Sequence, residues 1–242
     1  MKKIVTFIAF LSTFVFASVD HVNYKATFGV FGTVGSIHNT LTKNTKTYVI
    51  DTTVKMAGLA KMIMGGQVEH YTSKGHFHNG LMVSDVYTME TKKKHQRKLR
   101  EYTINHTKKY VTKRYRKWSH GKLVKDTVKK LKFYAENDLL TLYFNMNKAI
   151  TNKGKVYHMK AVGLEKQKGL VEVTVPTDKN NKAYKKDLGS TANWYAKALI
   201  VQKNFKKKKG DILLSVSKDG YIKKSVIKDI LMYGDAKLIR TK

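Results

Sequence analysis

Apolar and polar residues alternate with a period of two through most of this chain, and the only proline is Pro176. In the stretch 24–30, for example, Tyr24, Ala26 and Phe28 alternate with polar or small residues. This period gives a strand one face for a core and one for solvent, and scarce proline allows long ladders of backbone hydrogen bonds. The sequence therefore predicts a mainly β fold, a large curved antiparallel sheet or half-open barrel of successive hairpins.

Turn and helix signals divide the chain further. The helix-favouring residues of 56–64 predict one short helix, and Asn137 or Asp138 can cap the start of a second. Asp219-Gly220 predicts a two-residue hairpin turn. The predicted loops are 74–80 and 177–186, and the predicted strands are 24–30, 33–43, 47–55, 67–73, 81–90, 97–104, 110–118, 155–162, 170–175, 193–203, 212–218, 221–233 and 236–240.

The start of the chain has the pattern of a secretory signal peptide. Lys2 and Lys3 precede an apolar run, Ile4–Phe16, and Val15 and Ala17 occupy the positions that a signal peptidase reads. The alternative is an uncleaved anchor, but the run is shorter than the roughly 20 residues that a spanning helix needs. We therefore predict cleavage after Ala17 and export to the periplasm.

The remaining residues, 18–242, are predicted to form a single β-rich domain. The chain has no cysteine, which excludes disulfides, thiolate metal sites and the lipid acceptor of a lipoprotein. No later stretch is apolar enough to predict a transmembrane segment. The product is therefore expected to be soluble, with an oligomeric state that the sequence leaves open.

The charge of the chain is strongly positive. Lysine and arginine number 48 against 17 acidic residues, a net charge of +31 that falls to +29 when Lys2 and Lys3 leave with the signal peptide. Few of these cations are arginine, the residue that reads bases and phosphates with a planar fork. After export the available anions are lipid phosphates and acidic envelope polymers rather than nucleic acid. Lysine-rich genome composition is an equally good explanation.

A basic hairpin concentrates this charge next to Tyr115 and Trp118. Alternation puts Arg114 and Arg116 on one face of its second strand, and neither face can be deeply buried because unpaired charges are costly to desolvate. The sequence predicts either a docking site for lipid, lipopolysaccharide or another anionic polymer, or lysines that protect a sheet edge. The candidate anion-binding residues are Lys92, Lys93, Lys94, Arg97, Lys98, Arg100, Lys113, Arg114, Arg116 and Lys117.

Three histidines form the best candidate for a metal site. His76 and His78 lie two residues apart, and His70 could join them across a hairpin. They fall in or beside the predicted loop 74–80, with no carboxylate that the sequence fixes nearby. A solvated loop is the preferred interpretation, and neither a metal nor a cofactor is expected.

Sequence patterns of catalysis are missing. Gly29, Gly32 and Gly35 have the wrong spacing for a dinucleotide fingerprint and predict a bend in a strand. No nucleophile elbow, Walker motif or metalloprotease motif occurs. We therefore expect a protein that is not an enzyme.

Three stretches resemble the bacterial envelope family known as domain of unknown function 3108. They are Tyr24-Lys25-Ala26 running into 29–36, the helix start 138–144, and the ending 218–221 with 232–238. A proline usually follows the aspartate at the helix start, where this chain has Leu139. The resemblance implies an exported protein whose fold is similar to the envelope carriers that hold lipid in a half-open barrel, and it implies no catalytic residues.

Three functions remain open from the sequence. The first is a carrier whose apolar groove holds an acyl chain, with one of the two predicted helices as a lid. The second is a structural or assembly factor that docks on anionic envelope surfaces through the basic hairpin, and the third and weakest is a hydrolase of envelope polymers. The predicted groove residues are Phe28, Tyr48, Ile50, Met62 and Tyr87.

Overall fold

The computed structural model describes residues 17–58, 61, 66–164, 168–201, 209–228 and 235–241. The predicted signal peptide, apart from Ala17, lies outside these residues. Among the described residues, no helix combines the length and the apolar character that crossing a membrane requires.

The described part of the chain contains fifteen strands, two α-helices with described bounds and the helical residues Gly58 and Lys61. The strands are β1 Ser18–Phe28, β2 Thr33–Lys43, β3 Thr47–Met56, β4 Val68–His78, β5 Leu81–Lys93, β6 Gln96–Asn105, β7 Tyr110–Ser119, β8 Lys122–Lys130, β9 Asn137–Asp138, β10 Val156–Val162, β11 Leu170–Thr174, β12 Trp194–Val201, β13 Lys209–Val216, β14 Ile222–Ile227 and β15 Ala236–Arg240. The helices are α1 Leu139–Ala149 and α2 Asn181–Leu188.

All the strands join one open sheet, in the order β8-β7-β6-β5-β4-β3-β2-β1-β15-β14-β13-β12-β11-β10-β9. Neighbouring strands are antiparallel except β9 and β10, which pair in parallel. The first and last strands meet in the middle of the sheet, where Tyr24 lies opposite Arg240. The prediction of a large antiparallel sheet built from successive hairpins is confirmed.

Helix α1 explains how this sheet curves. Its side chains Phe144 and Met146 share one apolar core with Tyr48 and Ile50 of β3 and with Val173 of β11. Strands from both halves of the sheet therefore pack around the same helix. The amide of Ser84 in β5 also donates to the carbonyl of Glu136, 3.2 Å away, so the chain just before β9 reaches back to the other half.

The turn after β4 corrects one prediction. Asn79 and Gly80 have φ values of 50° and 76°, the backbone that a tight two-residue hairpin turn requires. Strand β4 therefore continues through His76 to His78, and the predicted loop 74–80 is wrong apart from its last two residues. The Asn-Gly pair was the signal for this turn.

The helix predictions have mixed outcomes. Helix α1 begins where predicted, since Oδ1 of Asp138 accepts from the amides of Leu140 and Thr141. The predicted loop 177–186 is wrong, because a short 3₁₀ turn and helix α2 occupy it. Of the predicted helix 56–64, Met56 belongs to β3, Gly58 and Lys61 are helical, and residues 59–60 and 62–64, Met62 included, lie outside the described residues.

Two further turns differ from the prediction. Residues Gly29–Phe31 form a 3₁₀ turn that separates the antiparallel strands β1 and β2, rather than a bend within one strand. The connection between β13 and β14 contains Asp219-Gly220 as predicted, but Ser217 and Tyr221 close it through a backbone hydrogen bond of 2.9 Å. The turn is therefore longer than two residues.

A buried tyrosine pair joins β1 to α1 and gives a test at alkaline pH. The Tyr24 hydroxyl contacts the Tyr143 hydroxyl and donates to the Ile222 carbonyl, 2.9 Å away, and burial raises the pKa of Tyr24 to about 12. An unfolded tyrosine ionises near pKa 10. The stabilisation is therefore complete below about pH 10 and is lost as the pH rises towards about 12.

We expect thermal unfolding followed by circular dichroism to show this loss as a falling melting temperature above about pH 10. The fall should be shallower for Tyr24→Phe, which removes one of the groups whose pKa differs between the folded and unfolded states. Equal slopes for the two proteins would contradict the assignment to Tyr24.

Candidate functional site

The four strands β5 to β8, residues 81–130, form what we call the platform. All of its residues are described, and all ten predicted anion-binding residues lie on it. Every residue of β8 is exposed, so the outer part of the platform projects beyond the core. Tyr87 and Tyr102 stack at its base, with ring centroids 5.8 Å apart, and mark the inner face of the platform.

The outer face, opposite these tyrosines, balances its cations with acids. Arg114 forms hydrogen bonds of 2.6 and 3.0 Å to the Asp126 carboxylate across the strand pair. Arg116 approaches Glu101 at 3.5 Å. The hydrogen bond from Arg114 lowers the pKa of Asp126. Arg114 and Arg116, which the sequence suggested for anion binding, are thus already paired within the protein.

Glu90 provides the third acid of the outer face. Its carboxylate accepts from Arg97 and lies 3.0 Å from the Lys92 ammonium group. Burial alone would raise the pKa of Glu90, but the hydrogen bonds from Arg97 and Lys92 outweigh burial and hold it below its ordinary value. Glu90 therefore remains a carboxylate and neutralises this part of the face.

The inner face has the opposite character. Lys98 lies across from Lys117, and Lys117 across from Lys125, so that three cations form one row. Two cations of this face also lie near the ring of Tyr115. The guanidinium carbon of Arg100 is 6.0 Å and the ammonium nitrogen of Lys125 is 5.9 Å from its centroid. Such distances allow cation–π attraction.

By the strand register, Glu90, Glu101 and Asp126 all lie on the outer face of the platform. The remaining platform acid, Asp85, contacts His76 and His106. On the neighbouring strand β4, Glu69 shares the inner face and accepts hydrogen bonds from Tyr71 and Gln67. Within the described chain, Lys98, Arg100 and Lys117 form no ion pair. Lys113, also on this face, stands 5.3 Å from the ring of Tyr102.

The tip of the platform is a shallow basic cleft of about 530 Å³. Trp118 forms one wall, and the Arg97 guanidinium carbon lies 4.5 Å from its ring centroid. The rings of His95 and His120, from the two tip turns, stack at 4.8 Å. Lys92, Lys93 and Lys94 complete the lining.

The sequence predicted the basic residues of the platform but not the acids that neutralise one of its faces. The alternation of Arg114 and Arg116 against Lys113 and Lys117 is as predicted. What the sequence prediction missed is β8, which supplies Lys125 to the inner face and Asp126 to the outer face. The signal was present, because a His120-Gly121 turn followed by an alternating stretch is typical of a hairpin.

The predicted apolar groove is corrected. Tyr48 and Ile50 are 2% and 0% exposed beneath α1, and the Tyr48 hydroxyl lies 2.7 Å from Oγ1 of Thr141. Tyr87 belongs to a second core cluster, and Phe28 is half-buried beside Phe31. These residues do not line one open groove, because α1 packs against Tyr48 and Ile50 where the groove was predicted.

The histidines are also placed differently from the prediction. His76 is a strand residue whose Nδ1 lies 3.0 Å from Oδ2 of Asp85, and Nε2 of His106 lies 3.3 Å from Oδ1. Asp85 is the extra residue of a β-bulge, since Lys74 and Gly75 pair with Val86 and Ser84. Across the described ranges, no three His, Asp or Glu side chains are arranged to hold a metal ion.

Comparisons with known proteins leave the chain without an assigned family. No family model matches it, and a search of curated proteins finds no match. It is similar to the crystal structure of a beta-barrel-like protein of domain of unknown function DUF1849 from Brucella abortus, with a TM-score of 0.47 and 10% identity over 92% of this chain and 95% of that chain. This similarity is too low to carry an argument about activity.

Proposed function

We propose that this chain is an exported, non-enzymatic protein that docks on anionic surfaces of the cell envelope through the inner face of the platform. The observation that supports the proposal is the contrast between the two faces. Acids pair with the arginines of the outer face, whereas Lys98, Arg100 and Lys117 have no such partners in the described chain. Export and membership of the envelope family named above belong to the same proposal.

Lipid phosphates fit this face in both charge and shape. Lysine is a compact point charge suited to phosphate oxygens, and a cation near an anionic membrane surface contributes about 1 kcal/mol. Tyr115 on this face offers an aromatic ring with one polar atom, a side chain that suits a boundary between apolar and wet surroundings. A sheet face that projects beyond the core can approach a flat surface without unfolding.

The test is binding to vesicles that contain about one-third anionic phospholipid, compared with neutral vesicles. The triple variant Lys98→Glu, Arg100→Glu, Lys117→Glu should bind at least about 100-fold more weakly, because three cations at about 1 kcal/mol each are lost. Binding of the unaltered protein should also weaken steeply with salt.

A matched control separates the site from the overall charge. Lys182→Glu, Lys185→Glu, Lys186→Glu makes the same number of reversals on α2, where all three side chains are exposed. It should bind nearly as well as the unaltered protein. An equal loss in both triple variants would overturn docking through the platform.

A second candidate function is the carriage of an amphiphile, for which one cleft in the structure is suited. A cleft of about 470 Å³ beside α1 is lined by Leu142, Ala149, Tyr157 and Met159, with Glu136 as its carboxylate. Native mass spectrometry of protein recovered from the vesicles distinguishes the two functions, since a carrier retains lipid and a docking protein does not. A hydrolase would need two converging carboxylates, and this cleft has one.

A further inference from the structure

Strand β8 ends the sheet on the side of the platform. All nine of its residues, Lys122–Lys130, are exposed, and β7 is its one partner among the described strands. The opposite edge of the described sheet is β9, which has two residues and includes the buried Asp138. An edge strand presents a row of backbone donors and acceptors to which another strand can be added. Of the two edges, β8 is thus the long and accessible one.

The side chains of β8 add apolar surface to this backbone edge. Leu123, Val124 and Val128 are 52%, 55% and 64% exposed, which is high for large apolar residues on a lysine-rich strand. A shift in register opposite Lys117 and Trp118 pairs Leu123 with Trp118. An added strand would cover side chains of this type through cross-strand contacts.

Charge determines which strand fits. Strand β8 carries four lysines and one acid, Asp126, which already forms an ion pair with Arg114. The lysines are Lys122, Lys125, Lys129 and Lys130. Like charges directly opposite each other destabilise a strand pair, so a second copy of β8 is a poor partner. A strand rich in glutamate or aspartate would place opposite charges across the new pair.

We propose that β8 binds an extended acidic segment of a partner protein by strand addition. The main chain supplies the hydrogen bonds, the four lysines select an acidic sequence, and the exposed apolar side chains give the added strand a surface to pack on. This interaction is separate from vesicle docking, because it uses the edge of the platform rather than Lys98, Arg100 and Lys117 of its inner face.

The probe is a labelled nine-residue peptide of alternating glutamate and valine, with binding measured by fluorescence anisotropy on the full chain. A peptide of the same sequence with N-methylated backbone amides has the same charge but cannot donate backbone hydrogen bonds. We expect it to bind at least about 10-fold more weakly, the effect of losing one or two net hydrogen bonds. A lysine–valine peptide should not bind.

Two variants locate the site. Leu123→Ser with Val128→Ser keeps the backbone edge and the net charge but removes most of the apolar surface. Thr127→Pro with Val128→Pro removes two adjacent amides, of which one faces the edge in an alternating ladder. Both double variants should bind the acidic peptide at least about 10-fold more weakly, a loss of about 1.4 kcal/mol. Both should retain vesicle binding, whereas the Lys98, Arg100 and Lys117 triple variant should show the reverse.

Each contrary outcome overturns the proposal. Equal binding of the N-methylated peptide would show charge attraction without strand addition. If the protein self-associates in sedimentation experiments and Val128→Lys abolishes the association, the strand that pairs with β8 belongs to a second copy of the chain. No binding of the acidic peptide would leave the lysines of β8 as protection of the edge against aggregation.

Discussion

Replacing Asp138 by alanine is expected to lower the free energy of unfolding by about 3–5 kcal/mol, the cost of leaving several buried donors without an acceptor. The Asp138 side chain is 0% exposed. Its Oδ1 accepts from the amides of Leu140 and Thr141 at 2.7 and 3.0 Å, and its Oδ2 accepts from the hydroxyls of Ser73 and Thr141 at 2.5 and 2.9 Å. One carboxylate thus caps α1 and ties it to β4.

The measurement is urea unfolding followed by circular dichroism. Asp138→Asn keeps one acceptor oxygen for the helix cap and should lose less stability than Asp138→Ala. Asp178→Ala is the surface control, because Asp178 pairs with Lys153 at an exposed position, and it should change stability little. A small loss for Asp138→Ala would mean that α1 is held by apolar contacts alone.

Gly75→Ala is expected to destabilise the protein by about 3 kcal/mol or more, at the upper end of overpacking effects. A Cβ at Gly75 would lie 1.9 Å from the Val83 carbonyl oxygen and 2.9 Å from the Tyr48 ring. The carbonyl belongs to the neighbouring strand and cannot rotate away. Gly75 therefore permits the close approach of β4 and β5 beside the bulge at Asp85.

The control for this variant is Gly121→Ala at the tip of the platform. A Cβ at Gly121 would meet nothing within 4 Å, so its cost is limited to the strain of its φ of +78°. That strain is about 1–2 kcal/mol. The same unfolding measurement compares the two variants, and equal losses would refute the close approach at Gly75.

Local sequence patterns were sufficient to predict most strands of the sheet. The predicted strand 33–43 is β2 to the residue, β3 begins at Thr47 as predicted, and the cap is Asp138, one of the two residues that the sequence offered. The errors also have local causes. The Asn79-Gly80 turn was read as part of a longer loop, and the apolar positions of α2 are too few to show a helical period against its lysines.

The candidate site was predictable in composition but not in arrangement. Arg114 and Lys117 both count as cations in the sequence, yet one is bound by Asp126 and the other is not paired with an acid in the described chain. Asp126 is twelve residues from Arg114, and only the β7–β8 register brings them together. Charge counting cannot separate a neutralised cation from an available one.

The sequence by itself determined which residues of each strand share a face, because side chains alternate along an extended backbone wherever the strand lies. It also determined the start of α1, because a cap acts through amides two and three residues away. Only the tertiary structure decided that α1 occupies the inside of the sheet above Tyr48 and Ile50, and that acids neutralise one face of the platform. Both depend on contacts between residues far apart in the chain, which no local pattern specifies.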